Sequence, residues 1–118
     1  MNQREKLDAI RTANIAKITV IGRRTGRSIT LPVQFVHEDN KILLLPFMGK
    51  KTGWYANLTK NPAITIDIRG TQLKGNAELS TDSAMLASVV EKFKAKYGES
   101  NITDYYPTKD AFVEVVVA

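Results

Sequence analysis

Three basic side chains surround a glycine-containing turn in the stretch VIGRRTGRSITLPV, between two segments of strand-like composition. They are Arg23, Arg24 and Arg27, and the turn also contains Gly26. A guanidinium group can bind a carboxylate or a phosphate through two parallel hydrogen bonds, and backbone N–H groups exposed at such a turn add further donors. The stretch therefore predicts a site for an anionic group. A solvated hairpin tip, whose charges aid solubility, is the alternative interpretation.

A second basic segment, MGKK, precedes a short predicted helix that begins after Thr52. Gly49 permits close approach of the backbone to a ligand, Lys50 and Lys51 add charge, and a helix N-terminus adds partial positive charge. Trp54 follows and either anchors the helix or lines a planar ligand. A solvated loop explains the segment equally well on local grounds.

Other common chemistries lack the residues that they need. The chain has one histidine, His37, in the predicted turn HEDN, and it has no cysteine. A His-based metal site, a Ser-His-Asp triad and thiolate chemistry therefore have little to be built from. Asp67 and Asp104 are expected to be solvated, and no phosphate-binding glycine motif is present. If the protein is an enzyme, a cofactor must supply the reactive group.

The charge distribution also points to an anionic partner. The net charge is +5, and the first 27 residues carry seven basic and two acidic residues, which is the same surplus. Such asymmetry is typical of proteins that bind nucleic acid, anionic lipid or a charged small molecule. The N-terminus has no apolar signal-like region, and no apolar run approaches membrane-spanning length. We therefore expect a soluble protein located in the cytoplasm.

The hydrophobic periodicity predicts one mainly β domain over residues 1–118, an antiparallel barrel with two or three peripheral helices. Pro32 cannot donate to a ladder, so its strand is expected at an edge or a bulge. Met85 is placed on the buried face of the last helix, and residues 99–110 are expected to form a loop. The predicted helices are 3–13, a short helix between an N-cap at Thr52 and a stop at Asn61-Pro62, and 82–97. The six predicted strands are 15–21, 29–35, 41–47, 64–69, 73–79 (after a turn at Gly70-Thr71) and 111–118.

Two motifs in this order resemble the deazaflavin-dependent nitroreductase family. They are GRRTG, followed six residues after its last glycine by a strand proline, and WYANLTKNP before an alternating strand. The likeness extends over about residues 14–80 and more weakly to the closing strand. It implies a split β-barrel of the flavin-reductase-like (PNP-oxidase-like) fold, which binds a reduced deazaflavin coenzyme of the F-420 type.

The resemblance also assigns roles to residues by position. It places Arg23 and Arg24 beside the phosphate and acidic tail of the coenzyme, with Gly26 as the turn glycine. Family members often have another basic residue where this chain has Ile29, and Arg27 compensates for its absence. The residues implied near the ring are Pro32, Phe47, Met48, Gly49 and Trp54, with Phe47, Met48 and Gly49 in a loop whose backbone amides meet the ring.

Late tyrosines cover the substrate pocket in relatives, and the candidates here are Tyr97, Tyr105 and Tyr106. We expect Tyr105 or Tyr106 to donate a proton or a hydrogen bond to the acceptor. Because a reduced deazaflavin donates hydride from its own ring carbon, the protein needs only to orient the ring, exclude water and stabilise developing charge.

The resulting hypothesis is an oxidoreductase that transfers hydride to a quinone, a nitro compound or a similar small acceptor. An FMN-binding barrel of the same fold is the first alternative, and a non-enzymatic nucleic-acid or anion-binding module is the second. The basic residues lack the interleaved aromatic residues of a single-strand binder, which disfavours nucleic acid. A homodimer is expected from the fold.

Overall fold

The alternating apolar segments form one sheet of seven antiparallel strands in a computed structural model that describes residues 3–117. The strand order is β2-β1-β5-β6-β7-β4-β3, so β2 and β3 are the edges. The strands are β1 (Ala16–Ile21), β2 (Ser28–Val33), β3 (Val36–Glu38), β4 (Lys41–Leu44), β5 (Ala63–Ile68), β6 (Thr71–Ser80) and β7 (Phe112–Val116). The helices are α1 (Gln3–Thr12), α2 (Gly53–Lys60), α3 (Ser83–Tyr97) and α4 (Glu99–Tyr105), with a 3-10 turn at Gly49–Lys51.

Two apolar clusters lie on opposite faces of this sheet, because successive strand side chains point to opposite sides. Ile42 and Leu44 of β4 belong to the cluster inside the curved sheet, together with Ile18 and Ile66. Leu43 points the other way, into a cluster that α3 and α4 cover. This half-barrel with peripheral helices confirms the predicted split-barrel class.

The predicted strand count was one too low. Residues 37–40 were assigned to a turn, but His37 and Glu38 continue β3, which pairs with Ile42 and Lys41 of β4. Asp39 adopts a left-handed backbone with φ of 53°, a conformation that Asp tolerates better than most residues. The turn therefore closes within Asp39 and Asn40, and the chain on each side is free to pair. β2 lies at the sheet edge, as Pro32 predicted.

Two further predictions about the helices were wrong. The expected loop over 99–110 contains α4, which begins beyond Gly98 (φ of 94°) and buries Ile102 completely. Met85 is half exposed, because α3 turns Leu86 and Val90 toward the sheet instead. No helix among the described residues is long and apolar enough to cross a membrane.

Candidate functional site

The turn between β1 and β2 is closed by its own backbone. Gly22 N donates to Arg27 O at 2.8 Å, and Gly26 N donates to Gly22 O at 2.9 Å. Gly26 has a φ of 72°, which a glycine adopts without strain, and a Cβ added there would meet nothing within 4 Å. The predicted turn is therefore a compact loop with open space around Gly26.

Arg23 is exposed like the other two arginines but differs from them because its donors are hydrogen-bonded to α2. Asn57 on α2 is 5% exposed, and its Oδ1 accepts from Arg23 N at 3.1 Å and from Arg23 Nη1 at 2.7 Å. Arg23 Nη1 also lies 3.4 Å from Gly53 O. These contacts fasten the turn to α2.

The remaining two guanidinium groups are exposed. The side chains of Arg24 and Arg27 make no hydrogen bond or ion pair within residues 3–117, so their donors face solvent. Arg24 lies on an open cavity of about 200 Å³ beside the turn. We call it the turn cleft; it is lined by Gly22, Arg23, Arg24, Thr25, Ile29 and Asn57.

An apolar cleft with aromatic walls lies further along β2. Its volume is about 90 Å³, and its exposed rim includes Phe47 and Tyr105, whose ring centroids are 6.4 Å apart. We call it the aromatic cleft; it is lined by Leu31, Pro32, Val33, Gln34, Leu45, Phe47, Trp54, Tyr105 and Tyr106.

The two clefts are built on the same two elements. The β2 strand contributes Ile29 to the turn cleft and Leu31 and Pro32 to the aromatic cleft. The α2 helix contributes Asn57 to the first and Trp54 to the second. One edge strand and one short helix therefore place a cationic site and an apolar site next to each other along the chain.

The two tyrosines predicted to be catalytic lie together but differ in access. Tyr105 is 54% exposed, whereas Tyr106 is 2% exposed, and their rings meet edge to face at 4.9 Å. The Tyr106 hydroxyl donates to Gln34 Oε1 at 2.9 Å, and Gln34 Nε2 donates to Asn101 Oδ1 at 3.1 Å. Burial, followed by the neighbouring phenols, raises the pKa of Tyr106, which therefore stays protonated at neutral pH.

Tyr97, the third tyrosine candidate, lies elsewhere. Its hydroxyl oxygen accepts from Phe35 N at 3.0 Å and lies 2.7 Å from Asn14 O. It joins the start of β1 to the segment after β2 and does not line the aromatic cleft. This position gives Tyr97 a structural part in the described fold.

The loop after β4 already uses its backbone donors. Met48 N donates to Thr52 Oγ1, Gly49 N to Pro46 O, and Lys50 N to Asp110 Oδ1, all at about 3 Å. Contact of these amides with a cofactor ring stays a prediction. The side chains of Lys50 and Lys51 are exposed and line neither cleft.

Sequence reasoning missed two polar residues of this site. Asn57 stands three residues after Trp54 within WYANL, and a polar residue on the buried side of a short helix was an available signal. Gln34 follows the strand proline and carried no signal of its own, because Tyr106 and Asn101 reach it only in the tertiary structure. No group of metal-ligating side chains occurs among the described residues.

Several solved structures have the same fold. An F420-H2-dependent reductase, FDR-A, is 17% identical over 86% of this chain and 93% of its own, with a TM-score of 0.68. The conserved hypothetical protein Rv2991 from Mycobacterium tuberculosis is 18% identical over 100% of this chain and 80% of its own, with a TM-score of 0.75. A Listeria innocua protein provisionally named a pyridoxamine 5′-phosphate oxidase is 13% identical over 96% of this chain and 90% of its own, with a TM-score of 0.71.

At these identities the structural neighbours establish the fold alone. The family follows from the sequence as a whole. Residues 3–118 match the family model described as F420H(2)-dependent quinone reductase, which spans nearly the whole chain. The resemblance suggested by GRRTG and WYANLTKNP is thereby confirmed at the level of deazaflavin-dependent reductases. This chain belongs to the F420H(2)-dependent quinone reductase family.

Proposed function

We propose that this protein binds a reduced deazaflavin coenzyme across the turn cleft and the aromatic cleft, and uses it to reduce a quinone. A single observation supports this function: β2 and α2 each contribute lining residues to both clefts, so an anion site and an apolar site lie side by side. A molecule with an anionic tail and a flat apolar head needs that combination of neighbouring sites.

The residues at the turn suit the tail. Arg24 and Arg27 present exposed guanidinium groups without partners among residues 3–117, and Arg23 is fastened to Asn57. The first two can therefore reorient toward a phosphate or carboxylate group while the turn keeps its shape. Each charge-assisted hydrogen bond contributes about 1.5–3 kcal/mol.

The walls of the aromatic cleft suit a planar apolar ring. Its volume of about 90 Å³ is well below the roughly 300 Å³ typical of a small-molecule pocket. Phe47 and Tyr105, at 45% and 54% exposure, form the outer wall and are the side chains free to shift outward. Pro32, Leu31 and Trp54 are the lining residues that would hold the ring.

The coenzyme, when bound, supplies the hydride. The protein's part is to hold the ring, exclude water and place the acceptor. Tyr105 is the accessible phenol at the cleft and is proposed to donate a hydrogen bond to the acceptor oxygen. Tyr106 is proposed as a positioning residue, since its hydroxyl holds Gln34 at the cleft wall.

Fluorescence titration with oxidised deazaflavin coenzyme, and with FMN as the alternative cofactor, tests the binding proposal. Removal of two charge-assisted contacts in Arg24→Ala/Arg27→Ala should weaken deazaflavin binding at least about 100-fold. The matched control is Arg69→Ala/Lys74→Ala, which removes two positive charges at the exposed β5–β6 hairpin. Equal losses in both variants would contradict a specific tail site, and tighter binding of FMN would favour the flavin alternative.

Turnover separates the roles of the tyrosines. With reduced deazaflavin and a soluble quinone, Tyr105→Phe should lower kcat about tenfold or more with little change in coenzyme affinity. Tyr106→Phe should raise the KM for the quinone more than it lowers kcat, because it acts through Gln34. A nitroaromatic acceptor that turns over faster than the quinone would contradict the proposed acceptor. Unchanged turnover in Tyr105→Phe/Tyr106→Phe would remove both tyrosines from the proposal.

Two expectations from the sequence are tested in parallel. Sedimentation of the purified protein measures the predicted homodimer. If the protein were a nucleic-acid-binding module, it would bind unrelated DNA sequences with an affinity that falls steeply as the salt concentration rises. We expect no such binding that competes with the coenzyme at physiological ionic strength.

A further inference from the structure

A third cleft lies between α1, β3 and α3. Its volume is about 420 Å³, within the range of small-molecule sites. We call it the α3 cleft; it is lined by Arg11, Val36, His37, Glu38, Lys92, Ala95 and Lys96. None of these residues lines the turn cleft or the aromatic cleft.

The cleft is cationic after its internal pairs are counted. It has three cationic side chains and one carboxylate, and Lys92 pairs with that carboxylate, Glu38. Arg11 lies 4.0 Å from Asp8, but both side chains are more than half exposed, so this pair contributes little. Lys96 therefore leaves one positive charge without a carboxylate partner among the described residues, and Arg11 adds an exposed guanidinium whose pair with Asp8 is open to solvent.

Lys96 is held at the edge of the cleft by groups that do not neutralise it. Its Nζ donates to Phe35 O at 2.9 Å and lies 3.8 Å from the centre of the Phe35 ring. No carboxylate pairs with it among the described residues. Burial lowers the pKa of Lys96 to about 8. An anion beside the ammonium group would offset part of the free-energy cost of burying its charge.

The same two cations act on the imidazole of His37. The pKa of its imidazole is lowered first by burial and then by the charges of Arg11 and Lys96, and Asp39 opposes this only as the smallest effect. The remaining charged groups of the cleft, Lys92 and Glu38, largely offset each other. The ring makes no hydrogen bond within residues 3–117. A neutral imidazole near two cations is available to bind an anion as a donor.

The rest of the lining is apolar. Val36 is 9% exposed, Ala95 lies on the facing side of α3, and the aliphatic stems of two lysines complete the surface. We propose that the α3 cleft binds a small organic anion with an apolar body, its carboxylate or phosphate between Arg11 and Lys96 and its body against Val36 and Ala95. This site is separate from the proposed coenzyme site and does not depend on it.

The sole histidine gives a direct readout. In a two-dimensional NMR titration of the imidazole Cε1–H of His37, phenyl phosphate should bind with a Kd of about 1 mM. A bound anion favours the imidazolium form, so saturation should raise the pKa of His37 by roughly one pH unit. By reciprocity, an anion that shifts the pKa of His37 by about one pH unit should bind about tenfold more tightly to the imidazolium form than to the neutral imidazole. This is tested with benzoate, because its charge does not change near that pKa.

Two variants of the α3 cleft, one control variant and two further ligands test this proposal. Arg11→Gln and Lys96→Met should each weaken phenyl phosphate binding about tenfold, whereas Arg24→Ala/Arg27→Ala should leave it unchanged. Benzoate should bind as a carboxylate with the same body, and inorganic phosphate, which lacks the body, should bind at least about tenfold more weakly. The proposal is overturned by equal binding of inorganic phosphate, by equal binding in Arg11→Gln, or by an unmoved His37 signal at about 10 mM phenyl phosphate.

This result stands apart from the coenzyme experiment. Arg11→Gln changes an exposed side chain of α1 and should leave deazaflavin affinity within about threefold of the wild type. Loss of phenyl phosphate binding with intact coenzyme binding would support the α3 cleft alone. The reverse pattern would support the coenzyme site alone.

Discussion

The β1–β2 turn and the 48–51 loop have similar sequences and different uses of their donors. Each combines a glycine at positive φ with neighbouring basic residues. In the turn, the guanidinium groups of Arg24 and Arg27 are exposed and Arg24 lines an open cleft, whereas Arg23 is hydrogen-bonded to Asn57. In the loop, Asp110 and Thr52 accept the amides that a ligand would need. Local composition therefore predicts an anion site in both segments. The availability of hydrogen-bond donors then favours the β1–β2 turn over the 48–51 loop.

The largest expected difference concerns the glycines. A Cβ at Gly49 would lie 2.1 Å from Asp110 Oδ1, whereas one at Gly26 would meet nothing within 4 Å. Both have positive φ, so Gly26→Ala should lower the free energy of unfolding by about 1 kcal/mol and Gly49→Ala by about 2–4 kcal/mol. Urea denaturation measures both. Gly53→Ala, in the open first turn of α2, is the control and should be neutral or stabilising by up to about 1 kcal/mol.

Asn57 tests whether the turn depends on α2. Asn57→Ala removes the acceptor of two Arg23 donors in a buried position and should cost about 1–3 kcal/mol of unfolding free energy. It should also weaken deazaflavin binding, because the turn loses its fastening. Thr59→Ala, at an exposed position of the same helix, should change stability by less than about 0.5 kcal/mol. Equal effects would mean that the turn stands without Asn57.

The Asp110→Ala variant tests whether the 48–51 loop depends on its contact with Asp110. Asp110→Ala frees Lys50 N and should cost about 1 kcal/mol, since the amide becomes accessible to water. It also removes the atom nearest to a Cβ at Gly49. In Gly49→Ala/Asp110→Ala the loss of unfolding free energy should therefore be smaller than the sum of the single losses. Additive losses would show that the close approach to Asp110 does not limit position 49.

The smallest expected effect is that of the loop lysines. Lys50→Ala/Lys51→Ala should change stability by less than about 0.5 kcal/mol, because both side chains are exposed. Since neither lysine lines a cleft or belongs to the β1–β2 turn, deazaflavin affinity should fall less than about threefold, against at least about 100-fold for the turn arginines. A loss as large as that of Arg24→Ala/Arg27→Ala would make the loop a second anion site, as its sequence predicts.

Much of the fold could be predicted because it rests on local patterns. The alternation of Ile64, Ile66 and Ile68 is reproduced as a buried face of β5, and Pro32 identified an edge strand correctly. The errors occurred where pairing or packing with a neighbouring element outweighs the preference of the segment itself. Helix α4 exists because Ile102 packs into the second core, and β3 extends because His37 and Glu38 pair with β4, which β7 pairs on its other side. The residues of such a segment do not reveal which other element will pack against it or pair with it, so its structure could not be predicted from its own sequence.

The amino-acid sequence by itself determined the mainly β class, the basic turn with its glycine, and the family, because these depend on residue order and composition. Only the tertiary structure decided which basic groups are available. It bound Arg23 to Asn57, left Arg24 and Arg27 without partners, and supplied the Lys50 amide with an acceptor from the distant Asp110. The physical reason is that a donor's capacity to bind a ligand depends on whether another part of the chain already satisfies it.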